Sequence, residues 1–175
     1  MKADGRAGYR VDAGSEAKSS GTILFRLFYL GQCGCGFERK VERKIEVKEA
    51  QTLDDLCEAI ILKSFGWDDP HSYSFFFDNK PFSQNRKMEY SSNTEEVDEF
   101  GKPNSTDVKL KNLKFRKGQK ILFIFDFGDE HRFGIKVEGF GETQKGKKYP
   151  LILEEKGKAP EQYEEADEDE EAEEE

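Results

Sequence analysis

An amphipathic segment at residues 53–65 limits the architectures open to this chain. Thr52 and Asp55 have the spacing of a capping box, and Gly66 stands where a helix commonly ends. The segment therefore predicts one helix whose apolar stripe must be buried against another element. The stripe consists of Leu53, Leu56, Cys57, Ile60, Ile61 and Phe65.

Strand patterns surround this helix. Residues 22–30 form an almost continuous apolar run, which predicts a strand buried on both faces. Residues 37–47 alternate between charged and apolar or arginine side chains, which predicts a half-exposed strand. The aromatic residues of 71–78 indicate a third strand, and 148–153 is a last short apolar segment.

Residues 119–137 have the pattern of a hairpin. Gly128 and Asp129 suit a two-residue type II′ turn, which makes Asp126 face His131 across the strands. That pair is either a cross-strand ion pair or one half of a polar site. The other predicted pairs are Ile124 with Phe133 and Leu122 with Ile135.

These elements predict a single α+β domain at residues 22–163. Its mixed or antiparallel sheet of about five strands is covered by one principal helix, in an order like that of β-grasp folds. Residues 1–21 read as a disordered arm, and 83–106 as a long polar loop. Residues 164–175 read as a disordered acidic tail.

The charge is unevenly distributed. Residues 164–175 contain ten acids, so the rest of the chain has 28 basic and 37 − 10 = 27 acidic residues. A nucleic-acid-binding domain usually has a clear excess of Lys and Arg, so charge gives no support for a nucleic-acid partner. The tail is a solvating extension, or it docks on a basic partner or on a basic patch of its own domain.

The compartment follows from the apolar runs and the cysteines. The sequence has neither a membrane-length apolar run nor the core of a secretory signal, so no membrane association is predicted. Three cysteines do not resemble a disulfide framework, which favours the cytoplasm. Cys33 and Cys35 on a glycine-rich turn lack the paired spacing of a zinc site, and Cys57 lies on the buried helix stripe. No metal or cofactor is predicted.

Seven residues are candidates for a binding site. Trp67 with its neighbours either covers the edge of the core or forms a recognition surface, because loops held by rigid elements often carry function. Two carboxylates and a histidine also suit acid–base chemistry, but no nucleophile or oxyanion-stabilising group accompanies them. The candidates are Trp67, Asp68, Asp69, His71, Asp126, Asp129 and His131.

Several blocks resemble the Ri-plasmid ORF-three-like family, also known as insertion-element passenger TnpR proteins. The blocks are TLDDLCEAI, FGWDDPHSYSF, VKLKNL, FDFGDEHRFGIKVE and KYPLILEEKGKAPEQY. The resemblance covers about residues 22–163. The family is mostly uncharacterised, so the resemblance implies a fold rather than an activity.

The chain departs from that family pattern at three places. GQCGCGFER stands where the family tends to have a turn with proline and tryptophan, and His131 and Phe133 stand where tryptophan and histidine are common. The usual Ala-Cys-Pro-Pro element is reduced to Lys158-Ala159-Pro160. A functional centre built from those family residues would be altered here.

The leading functional hypothesis is a non-enzymatic binding module for a protein partner. It depends on four features: nearly equal numbers of basic and acidic residues outside 164–175, the polar loop, a Trp67 region read as exposed, and the lack of an assembled catalytic motif. One alternative is a nucleic-acid-associated accessory protein of mobile elements, which the family label alone suggests. Another is a small metal-assisted or hydrolase-like enzyme.

Overall fold

Eight strands form one sheet in the computed structural model, which describes residues 21–34, 36 and 40–163. Their order is β5-β4-β3-β6-β7-β1-β2-β8, and all neighbours are antiparallel except the parallel pair β4 and β5. The strands are β1 Gly21–Gln32, β2 Glu42–Lys48, β3 Tyr73–Phe76, β4 Glu89–Ser91, β5 Asn104–Ser105, β6 Lys120–Phe125, β7 His131–Glu142 and β8 Leu151–Lys156.

The predicted helix is confirmed, although only its first half is α-helical. Helix α1, Leu53–Glu58, continues directly into a π-helix, Ala59–Phe65. The capping box is present: Thr52 Oγ1 accepts from the Asp55 N–H at 3.2 Å, and Asp55 Oδ2 accepts from the Thr52 N–H at 2.7 Å. Gly66 ends the helical segment with a φ of 74°, which a side chain would disfavour. Two 3₁₀ turns, Arg86–Met88 and Leu110–Leu113, lie in the later connections.

The helical segment covers one face of the sheet. Its apolar stripe joins the inward side chains of the central strands in one buried cluster. Among the largest fully buried side chains of this core are Phe25, Phe75, Phe123, Phe133, Leu53, Leu56 and Ile60. Cys57 lies in the same cluster, as its place on the stripe predicts. A separate small cluster of Phe76, Leu122 and Ile124 lies on the opposite face.

That opposite face carries paired charges. Arg26 Nε lies 2.5 Å from Glu138 Oε1, and Arg26 Nη2 lies 3.0 Å from Glu154 Oε2. Lys44 Nζ is 3.3 Å from Glu138 Oε2. The hydrogen bond from Arg26 lowers the pKa of Glu138. The prediction that β2 is half-exposed is wrong, because β8 and these cross-strand pairs cover its polar side.

The prediction of about five strands in a β-grasp-like order is wrong, although an α+β class holds loosely. The polar segment 83–106 contributes β4 and β5, which contain three and two residues. β8 adds an edge strand beyond β2. Strands of two or three residues are too short to show a hydrophobic periodicity. Their formation also depends on pairing with neighbours that are distant in sequence.

The predicted two-residue turn is also wrong. Phe125 lies opposite His131, and five residues, 126–130, connect the strands. Asp126 adopts a φ of 61°, and its Oδ1 accepts from the Gly128 N–H at 2.9 Å. Aspartate tolerates this left-handed conformation because its side chain bonds to the following backbone. The correct register is shifted by one residue, which turns Phe133 to the same face as Phe123.

Two further expectations concern the ends of the domain. β1 is not buried on both faces. Phe25 and Leu27 are buried towards the helix, whereas Leu30 is exposed on the face turned away from the helix, the open face. The predicted arm, apart from Gly21, and the predicted tail at 164–175 lie outside the described residues. Within the described ranges, no helix is long and apolar enough to cross a membrane.

Candidate binding cleft

Trp67 is placed by the turn that ends the helical segment. Its N–H donates to the carbonyl of Ile61 at 3.0 Å, and its side chain is only 3% exposed. The indole packs beside His131, with ring centroids 4.6 Å apart, and its Nε1–H donates to the Pro160 carbonyl at 2.8 Å. Trp67 therefore covers the edge of the core, and the interpretation of this side chain as exposed is wrong.

His71 lies at the meeting point of three polar groups. Its Nδ1 is 3.4 Å from Asp126 Oδ2, and its Nε2 is 2.9 Å from the hydroxyl oxygen of Tyr163. Asp69 Oδ2 lies 3.5 Å from the same Nε2. The structure thus brings three predicted site residues together, and it adds Tyr163, which the sequence did not single out.

Residues 157–163 form a strap that crosses this end of the sheet. The side-chain amide of Gln162 makes two hydrogen bonds with the backbone of Asp69. Its Nε2 donates to the Asp69 carbonyl at 2.8 Å, and its Oε1 accepts from the Asp69 N–H at 3.2 Å. The Tyr163 hydroxyl donates to the Asp69 carboxylate. This bond raises the pKa of Tyr163 to about 12, so the phenol keeps its proton at neutral pH. The strap fixes the loop that carries Trp67.

His131 belongs to the core rather than to the polar cluster. It is 2% exposed, and its Nδ1 lies 3.0 Å from the hydroxyl oxygen of Tyr29. Its Nε2 is buried without a hydrogen bond of normal geometry to any described residue. Burial lowers the pKa of His131, although Asp126 and Asp129 oppose that shift. The predicted cross-strand pair of Asp126 with His131 is wrong, because Asp126 faces His71 instead.

A cleft of about 250 Å³ opens between the helical segment and the Trp67 loop. Its lining includes four carboxylates and no Lys or Arg. The acids are Asp54, Glu58, Asp68 and Asp69, and the floor is formed by Ile61, Leu62, Trp67, Tyr73 and Phe125, among others. The cleft thus combines an acidic rim with an apolar and aromatic floor.

Two polar groups inside the cleft stay protonated. The Tyr73 hydroxyl donates to Asp54 Oδ1 at 2.5 Å, and burial raises the pKa of Tyr73. Burial likewise raises the pKa of the Cys57 thiol, so Cys57 is not an activated nucleophile. Cys57 and Tyr73 are therefore neutral groups of the cleft, and its carboxylates attract positive charge.

The two remaining candidates, Asp68 and Asp129, lie apart from the cluster around His71. Asp68 is exposed at the rim of the cleft. The Asp129 N–H donates to Asp126 Oδ1 at 3.4 Å, within the turn and outside the cleft lining. Sequence reasoning missed Asp54 and Glu58, although their four-residue spacing places them on one side of the helical segment.

The cysteines offer no support for a metal centre. Cys33 is exposed, and Cys35 lies outside the described residues. In the part of the chain that the structure describes, no group of three or more His, Cys, Asp or Glu side chains is arranged to hold a metal ion.

Comparison with known proteins identifies the fold and a family. The family model described as plasmid pRiA4b ORF-3-like protein matches residues 35–167. A crystal structure of a protein of unknown function from Methanosarcina mazei Go1 superposes with a TM-score of 0.61 at 21% identity. The match covers 81% of this chain and 72% of that one, and at this identity it shows the fold alone. No curated protein matches the chain.

Proposed function

This chain belongs to the plasmid pRiA4b ORF-3-like family, and we propose that it is a non-enzymatic binding module whose cleft takes a cationic side chain from a protein partner. The observation that carries the proposal is the combination of four carboxylates with an apolar floor and no lining Lys or Arg. The family and its structural neighbour supply no chemistry, so the proposal depends on the cleft itself.

The shape and charge of the cleft suit a lysine or arginine side chain. Such side chains lay an aliphatic stem along apolar surface while their charged head stays near water or carboxylates. Leu62, which is 41% exposed, supplies such surface beside the accessible edges of Trp67 and Phe125. Asp68 is exposed at the rim and has no salt bridge to any described residue. A volume of about 250 Å³ lies just below the usual range for drug-sized ligands, and it fits a single side chain better.

The state of the polar groups supports binding over catalysis. Cys57 and Tyr73 hold their protons, as described above. His71 is contacted on both ring nitrogens, by Asp126 at Nδ1 and by Tyr163 at Nε2. A general base needs a free nitrogen within hydrogen-bond reach of its substrate, and here the Tyr163 hydroxyl occupies that position.

Trp67 provides the assay, because it is the one tryptophan of the chain and it lines the cleft. We expect a saturable change in its emission on titration with the peptide acetyl-Gly-Lys-Gly-amide. The same peptide with norleucine keeps the apolar stem but lacks the charge, so it should bind about tenfold more weakly or worse. Equal responses to the two peptides would contradict the proposal.

Paired variants localise the binding. The double substitution Glu58→Gln and Asp68→Asn removes two rim charges, each worth roughly 0.2–1 kcal/mol to an exposed ion pair. Glu58 contributes less than Asp68, because Glu58 Oε1 already lies 3.6 Å from Lys63 Nζ. The expected loss of affinity for the lysine peptide is therefore about two- to thirtyfold. The matched control, Glu96→Gln with Glu99→Gln, changes two exposed acids of the β4–β5 connection and should leave the affinity unchanged.

A second candidate is a hydrolase-like enzyme that uses His71 as a general base. The contact between His71 Nδ1 and Asp126 Oδ2 favours it, because a carboxylate on one ring nitrogen orients the other. In this case the full chain should hydrolyse p-nitrophenyl esters, and His71→Gln should abolish turnover. Turnover that is lost in His71→Gln would favour this candidate over the binding module.

A further inference from the structure

Ten cationic side chains gather at the end of the sheet opposite the cleft, and we call this surface the basic end. All ten are exposed, and none of them takes part in a salt bridge with a described residue. They are Lys109, Lys111, Lys114, Arg116, Lys117, Lys120, Lys136, Lys145, Lys147 and Lys148.

The strand topology explains why they meet. β6 starts at Lys120 and ends at the turn that carries Asp126, so its first residue lies at the far end from the cleft. Lys120 pairs with Lys136 across β6 and β7, and the Gly118 N–H donates to the Val137 carbonyl at 2.8 Å. The remaining lysines, 145–148, follow β7 as it leaves the sheet at this same end.

The local charge is one-sided. Residues 109–120 contain six cations and no acid. Three acids lie close by: Asp107 precedes Lys109, Glu142 ends β7, and the carbonyl of Glu49 accepts from the Lys111 N–H at 2.9 Å. Three acids are too few to balance ten cations. On the open face, by contrast, Arg26 and Lys44 are paired with Glu138. Outside residues 164–175, basic and acidic residues are thus nearly equal in number, but unpaired cations collect at the basic end and carboxylates line the cleft.

We propose that the acidic segment 164–175 of the same chain docks on the basic end. This segment carries ten carboxylates and no Lys or Arg, so its charge is complementary to that of the basic end. It follows Tyr163, which is held beside His71 at the cleft. The six residues of β6 span about 20 Å, so about six extended residues cover that distance, and the remaining residues 170–175 bring five carboxylates to the near part of the basic end around Lys120.

A tethered segment has an advantage over free polyanions. Short flexible linkers give effective concentrations of about 1 mM, so a weak contact can still be occupied most of the time. Nucleic acid or another free polyanion would then have to displace the segment before it could bind the basic end. This inference does not depend on the ligand of the cleft.

Carbodiimide cross-linking tests the contact directly, because it joins lysines to adjacent carboxylates. No Lys or Arg follows Lys158, so trypsin leaves residues 159–175 in one peptide. We expect cross-links from that peptide to the basic end at low salt, with several-fold fewer at about 1 M NaCl, where the Debye length is about 3 Å. In an equal mixture of ¹⁴N- and ¹⁵N-labelled chains, the products should carry one label. Mixed-label products would assign the contact to a second copy and overturn the proposal.

Binding in trans supplies a second measurement. A fluorescent peptide with the sequence of residues 164–175 is titrated into the natural chain and into a full-length variant whose ten tail acids are changed to Gln or Asn. The neutral-tail chain should bind the peptide about tenfold more tightly, because its basic end is vacant. Equal affinity for the two chains would overturn the proposal.

Matched lysine variants in the neutral-tail chain identify the surface. Changing the lysines at 114, 117 and 120 to Gln should weaken the peptide about tenfold, whereas the same change at 80, 87 and 102 should have little effect. A labelled single-stranded oligodeoxynucleotide of about 12 nucleotides should show the same preference for the neutral-tail chain. If the natural chain bound it equally well, the tail would not occupy the basic end.

Discussion

Acidification should destabilise this fold through His131. The ring is 2% exposed, burial lowers its pKa, and its Nε2 makes no normal hydrogen bond to a described residue. In the unfolded chain the same ring gains a proton near pH 6.5. The unfolded state then binds more protons than the folded state, so the free energy of unfolding falls as the pH decreases.

The size of the effect follows from this difference in protonation. One group contributes at most about 1.4 kcal/mol per pH unit, reached where the unfolded ring is charged and the folded ring is neutral. The window opens near pH 6.5 and closes once the pH falls below the lowered pKa of the folded ring. Asp126 and Asp129 favour the charged ring, so they narrow this pH range, but the pKa of His131 stays below its ordinary value.

Urea unfolding at a series of pH values measures this slope. His131→Phe keeps an aromatic ring and cannot gain a proton, so its stability should depend less on pH between about pH 7 and about pH 5. The Tyr29 hydroxyl loses its hydrogen bond to the ring in this variant, which lowers stability by about 1 kcal/mol at every pH. His71→Gln removes the other histidine and should keep the His131 slope. An unchanged slope in His131→Phe would show that another group sets the pH dependence in this range.

Three other substitutions test the fold, each by urea unfolding at neutral pH. Thr52→Ala removes the cap of α1 and should cost about 1 kcal/mol; no loss would mean that the capping box is not formed. Gly157→Ala should cost at least about 1 kcal/mol more than Gly146→Ala, since both residues have positive φ but only at Gly157 would a Cβ meet a backbone oxygen, that of Lys40 at 2.3 Å. Phe123→Ala should cost about 3–5 kcal/mol, and a loss below about 1 kcal/mol would remove this residue from the core.

The helix could be predicted because its signals are local. Thr52, Asp55 and Gly66 lie within one helix length of each other, and the apolar stripe is read from the same window. The change from α- to π-helix at Ala59 has no comparable signal in that window. Helix boundaries and caps thus follow from neighbouring residues.

The number of strands depends on contacts between distant residues. β4 pairs with β3 and β5, and these elements contain only two to four residues each. β2 looks half-exposed by its alternation until β8 is known to lie beside it. The hairpin register failed for a different reason: the bonds of Asp126 to its own turn favour a longer loop than the Gly128-Asp129 pattern indicates.

The candidate site was found in part. The sequence indicates Asp69 and His71 by the mixed acidic and imidazole loop and Asp126 by the hairpin, and these three residues do converge. Tyr163 was missed because it reaches His71 from 92 residues away along the chain. The acidic rim was missed because Asp54 reads as a helix-capping acid until the Trp67 loop is placed beside it.

Two-dimensional ¹H–¹⁵N NMR of the full chain with acetyl-Gly-Lys-Gly-amide tests the binding cleft most directly. We expect shifts confined to residues 54–73 and 125, together with the single indole N–H of Trp67. The norleucine peptide should leave these signals almost unmoved at the same concentration. Shifts that cluster away from this cleft, or no shifts with the lysine peptide at millimolar concentration, would contradict it.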